Sequence, residues 1–72
     1  MTDFEKLKVA IKRTRLSMVV IAEESGMLRE TLYNRLKGKG EFKASEISAL
    51  SKTLHLSRDE RDEIFFPEML NE

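Results

Sequence analysis

His55, the run Lys37-Gly38-Lys39-Gly40 and the acidic group Asp59, Glu60, Asp62 and Glu63 are where catalysis, phosphate binding or metal binding would have to reside in this 72-residue chain. None has the required spacing. A single histidine, with no cysteine in the chain and no pair of carboxylates on its helix face, makes neither a general base nor a metal-ligand set. His55 instead follows Leu54 at a helix stop, which favours a residue that tolerates left-handed backbone and a cation near the helix C-terminus. The lysine-glycine run lacks the Gly-x-x-x-x-Gly-Lys-Ser/Thr spacing of a phosphate loop and no strand precedes it, so it reads as a helix stop with basic flanks. The four acids lack the spacing of a calcium loop and read as the charged first turns of a solvated helix. The expectation is a protein that is not an enzyme, with no catalytic residue, no metal, no cofactor and no small-molecule ligand.

Composition bounds the chain without deciding its role. The 13 basic and 13 acidic residues cancel overall, yet they are unevenly placed. Met1 to Lys43 carries ten basic and six acidic residues, a balance of +4, and Ala44 to Glu72 carries three and seven, a balance of −4. A basic half on a neutral chain suits phosphate or an acidic partner, and equally a solvated face. The length predicts one domain with a small core. With no cysteine, disulfides and thiolate chemistry are excluded. The longest apolar run, Met18 to Ala22, is far short of the roughly 20 residues of a membrane span or of a signal-peptide core, so no membrane association and a cytoplasmic location are expected.

Helix signals recur along the chain and hairpin signals do not, which predicts an all-α, compact five-helix bundle. Thr2 and Glu5 have the form of a capping box opening helix one, about Asp3 to Thr14, with Phe4, Leu7 and Ile11 at helical spacing. Ser17 caps a short second helix through Glu24, with Ile21 and Ala22 inward and Gly26 as its stop. Helix three spans about Leu28 to Lys37, with Leu32 and Leu36 on one face. Helix four runs from about Ala44 to Leu54 and buries Ile47, Leu50 and Leu54. Ser57 and Glu60 form a second capping box that opens helix five, Arg58 to about Phe65, with Ile64 and Phe65 facing the core. Pro67 forbids its continuation. The domain is expected over residues 1–66, with 67–72 as a loose C-terminal tail.

Helices two and three are joined by a specific pattern: small Ala22, Gly26 four residues later, apolar Met27, then apolar Leu32. Helices crossing at about 90 to 120° need a small residue at the close approach and a turn residue free to take positive φ. Together with the basic first helix, Leu36-Lys37-Gly38-Lys39-Gly40 and Leu54-His55-Leu56-Ser57, this pattern resembles the helix-turn-helix of the phage repressor and Cro family over roughly Phe4 to Phe66. The resemblance implies a lambda repressor/Cro-like fold with helix three as the recognition helix, whose outward residues are Leu28, Arg29, Glu30, Tyr33 and Asn34. On such a helix Arg29 can bond a guanine edge and Asn34 an adenine edge, while Lys37, Lys39 and Lys43 can hold phosphates. Each is also an ordinary solvated residue on a helix surface.

The chain departs from the family pattern in the same region. Met18 stands where those proteins commonly present a polar glutamine to phosphate. Val19 and Val20 replace exposed polar residues, and Leu28 replaces the serine or threonine that caps the recognition helix. Met18, Val19, Val20, Met27, Leu28 and Tyr33 can form an apolar patch, to which Glu30 adds a charge that repels phosphate. Alternatively Met18, Val20 and Met27 are core, and only Val19 and Leu28 show.

The length and the ending Glu63-Ile64-Phe65-Phe66 resemble the modulators of repression of temperate phages of lactic-acid bacteria. That resemblance implies an antirepressor in the bacterial host cytoplasm, which binds the DNA-binding domain of the phage repressor and masks its DNA-reading surface. The alternative is a Cro-like repressor that binds operator DNA directly, alone or together with the repressor. The residues expected to meet either partner are Met18, Val19, Met27, Leu28, Arg29, Glu30, Tyr33, Asn34, Lys37 and Lys39.

Overall fold

Five helices and a closing turn follow one another in the computed structural model, which describes residues 1–70: α1 Phe4–Thr14, α2 Met18–Ser25, α3 Arg29–Leu36, α4 Ala44–Thr53, α5 Arg58–Phe65 and a 3-10 turn Pro67–Leu70. The helix boundaries lie within one residue of those expected from the sequence. Their causes differ in places. Asp3, not Thr2, caps α1: its carboxylate accepts the Lys6 N–H at 3.1 Å, so the Thr2/Glu5 box does not form. A carboxylate at this position both satisfies a free donor and faces the positive end of the helix. Ser17 caps α2 as expected, accepting the Val20 N–H, and Gly26 ends it at φ 70°. At the entrance of α5, Ser57 accepts from Glu60 N–H while the Glu60 carboxylate accepts from Ser57 N–H. That capping box is complete.

Two helix stops place a residue other than glycine in left-handed backbone. Arg15 after α1 and His55 after α4 adopt left-handed backbone at φ 60° and 55°, the second as the sequence predicts. Thr14 holds the first of these turns, donating to the Ile11 carbonyl and accepting from Leu16 N–H.

Leu7, Ala10, Ile21, Ala22, Leu32, Leu50, Leu54, Ile64 and Phe65 form the buried core with Ile47 at its edge. Phe42 closes one side, its ring meeting Phe65 edge to face with centroids 5.3 Å apart. α2 packs on α3 and α4, and α5 packs on α1 and α4. The Asp3 N–H donates to the Ile64 carbonyl at 2.7 Å, tying the start of α1 to the end of α5. The radius of gyration is 11.3 Å, matching the roughly 11 Å of a compact chain this long. Pro67–Leu70 forms a turn in which Met69 N–H donates to the Phe66 carbonyl, and Glu68 pairs with the Met1 ammonium. This gives the start of the expected tail a definite conformation, and residues 71–72 lie outside the described part. No helix among the described residues is long and apolar enough to cross a membrane.

Candidate functional site

The surface built by α2, the turn after it and α3 gathers most of the residues singled out from the sequence. Gly26 in left-handed backbone turns the chain through Met27, and Leu28 then enters α3 in extended backbone with no side-chain bond to the free N–H groups of the helix. With no polar task and no place in the core, Leu28 remains 76% exposed. Five residues on, Tyr33 is 42% exposed, and Val19 in α2 is 41% exposed. The inward side of α3 is fixed by Leu32, which is fully buried, and by half-buried Leu36.

The six-residue apolar patch therefore divides. Met18 and Met27 pack against the core and offer only their edges, and Val20 is half-buried, whereas Val19, Leu28 and Tyr33 stand open. A core this small draws in the flexible thioethers to fill gaps between its few large side chains.

The same elements carry polar groups. Arg29, Glu30, Lys37 and Lys39 are exposed, and Asn34 is half-buried at the edge of the helix. Arg29, Tyr33 and Lys37 follow one another at four-residue spacing and so form one row along α3 and just beyond it. None of the four charged side chains is in an ion pair among the described residues, which leaves both signs of charge available. Lys43 and Leu28 line one shallow cleft with Thr31 and Ser45, so Lys43 also borders this face.

Sequence reasoning missed the pair that holds α3 in place. Arg35 donates from Nε to Glu46 at 3.2 Å, and the same carboxylate oxygen accepts the Lys43 N–H at 2.9 Å. The two side chains are only 17% and 14% exposed. This joins α3, the loop after it and the first turn of α4. Partners eleven residues apart leave no local pattern. Burial by itself pushes the Glu46 carboxyl up, but the Lys43 N–H, the Arg35 hydrogen bond and the charges of Arg35 and Lys43 outweigh it and hold the pKa below the usual glutamate range. The stability from this group is fully present above the unfolded glutamate pKa, about 4.3, and is lost as the pH falls through the lower folded value. Glu46→Gln is accordingly expected to flatten the acid side of a plot of thermal midpoint against pH. An unchanged acid side would show that Glu46 contributes nothing to it.

These elements therefore expose three apolar side chains together with cations and the Glu30 carboxylate. Among the described residues no group of three or more histidine, aspartate or glutamate side chains could hold a metal ion. The chain matches no family model, no curated protein and no solved structure at a significant level, so the functional reading rests on the chemistry of this surface.

Proposed function

We propose that α2 and α3 form a helix-turn-helix of the phage repressor and Cro kind and that the chain is a small, non-enzymatic regulator of the lysogenic–lytic switch. In this reading it is an antirepressor: it binds the DNA-binding domain of the phage repressor and covers the surface that reads DNA. The observation that carries the reading is Leu28. An apolar side chain at the entrance of a recognition helix offers phosphate no donor, and like Val19 and Tyr33 it stands exposed, as the apolar anchors of protein interfaces do before binding. Glu30 beside it opposes a DNA backbone and suits the cations of a DNA-reading surface. The neutral net charge points the same way, since operator binders draw much of their affinity from positive charge.

Direct operator binding is the second reading, favoured by Arg29, Lys37 and Lys39, which are exposed with no ion pair among the described residues, and by Asn34 beside them. A gel mobility-shift titration on DNA spanning the phage promoters separates the two, with this protein alone, the cognate repressor alone and both together at about 0.15 M salt. The expected result is no shift by this protein alone and loss or alteration of the repressor's shift. A specific shift by this protein alone overturns masking in favour of operator binding, in which case Lys39→Ala reduces the salt slope by about one. Failure to act on either DNA or repressor removes both readings.

A further inference from the structure

The acidic half of the chain brings most of its few cations to one cleft. Ala44 to Glu72 holds seven acidic residues and only three basic ones, Lys52, Arg58 and Arg61. Two of those three, Lys52 and Arg61, line a cleft of about 370 Å³ where α4 meets α5, and no carboxylate lines it. Ile47 and half-buried Phe66, both packed in or against the core, give the cleft an apolar floor. Ser48 and Ser51 add hydroxyls, and Ser48 and Lys52 lie four residues apart on one face of α4.

The donors left over in the cleft define what fits it. Lys52 is exposed and makes no ion pair among the described residues. Arg61 commits Nε and Nη2 to the neighbouring Asp62 at 3.1 and 3.0 Å, and its Nη1 keeps its donors. The Ser51 hydroxyl donates to the Ile47 carbonyl at 2.7 Å, which leaves Ser48 as the hydroxyl free to donate to a ligand. An ammonium, one guanidinium edge and a hydroxyl beside an apolar floor match a carboxylate carried on an apolar body. Asp62 cancels part of the Arg61 charge, so the cleft suits one negative charge. A polyanion is opposed by Glu46 on α4 and by Asp59, Asp62 and Glu63 on α5. We propose that the cleft between α4 and α5 is a binding site for a small monocarboxylic acid with an aromatic or aliphatic body. Its carboxylate lies between Lys52 and Arg61 and its body rests on Ile47 and Phe66. The site is separate from the α2–α3 surface and does not depend on the role given to that surface.

N-acetyl-phenylalanine, a carboxylate beside an aromatic ring, is the probe, and its neutral amide is the control. Titrated into the folded chain at constant ionic strength and followed by backbone amide NMR, the acid is expected to bind with a Kd on the order of 1 mM, as suits so small a ligand. The signals that move are those of Ser48, Ser51, Lys52, Arg61 and Phe66. The amide binds at least about tenfold more weakly, because it offers the cations no charge. Lys52→Glu raises the Kd of the acid at least about tenfold, whereas Lys8→Glu, an equal change of charge at an exposed position of α1, leaves it within about twofold. Far-UV circular dichroism confirms that each variant is folded. Equal binding of acid and amide overturns the proposal, as does full affinity in Lys52→Glu. Inorganic phosphate binding as tightly as the acid would remove the apolar floor from the site and overturn it too. Signals moving elsewhere, or no binding up to about 20 mM, leave the cleft without this ligand class.

Discussion

Leu32→Ala is expected to lower the folding free energy by about 3 kcal/mol, within the range for truncating a fully buried leucine. Leu32 has no exposed surface and is the only fully buried side chain of an eight-residue helix whose other inward contact, Leu36, is half-buried. A domain of 72 residues is worth roughly 4 to 10 kcal/mol in total, so this one change removes a large share of it. Urea unfolding followed by circular dichroism would show the midpoint falling by about 2 to 3 M, at a slope near 1 kcal/mol/M for so small a protein. Leu28→Ala, four residues earlier on the same chain segment, should move it by less than about 0.5 kcal/mol because its side chain is already in water. If the two variants proved equally stable, the assignment of α3's inward face would be wrong.

Leu28→Asp is expected to act in opposite directions on folding and on binding. Leu28 occupies the N-cap of α3 in extended backbone at φ −66° and ψ 137°, a geometry in which a carboxylate accepts a free N–H of the first turn. The substitution should therefore stabilise the fold by about 1 kcal/mol. If repressor masking is the function, it should also weaken repressor binding about 30-fold or more, since it places a charge at the apolar centre of the contact. Few surface substitutions separate the two quantities so cleanly. Leu28→Ser supplies a cap without a charge and extends the test. Masking predicts that it too loses repressor affinity, whereas direct operator binding predicts unchanged or improved DNA affinity. Isothermal titration with the repressor's DNA-binding domain, paired with thermal unfolding, measures both effects. Full repressor affinity in both Leu28 variants would remove the apolar contact from the mechanism.

Much of the fold was legible because its helix ends are chemically explicit. Ser17 with Gly26, and Ser57 with Glu60 and Pro67, are local signals whose geometry is decided within a few residues. Thr2 and Glu5 looked equally explicit, yet the helix begins one residue later. Asp3 offers the better acceptor there, and the Asp3 N–H is committed to Ile64 across the molecule. A choice between adjacent caps made by a distant carbonyl is not visible in a local pattern. The split within the apolar patch is of the same kind. Met18 and Val19 are neighbours with similar hydropathy, and only the packing of α2 decides which of them enters the core. Arg35 with Glu46 likewise became evident only when separate segments were brought together.

The bond between Arg35 and Glu46 also has a meaning for motion. α3 makes its main packing contacts with α2, while α2 and α5 reach across the core to α4. The helix that presents Leu28 and Tyr33 is thus held by buried Leu32, half-buried Leu36, its neighbour α2 and this single ionic link to α4. Regions with few buried contacts open first in partial unfolding, at a free energy below that of the whole domain. α3 is accordingly a segment able to open while the other helices stay closed, and a partner that binds its outer face would draw part of its affinity from holding it shut.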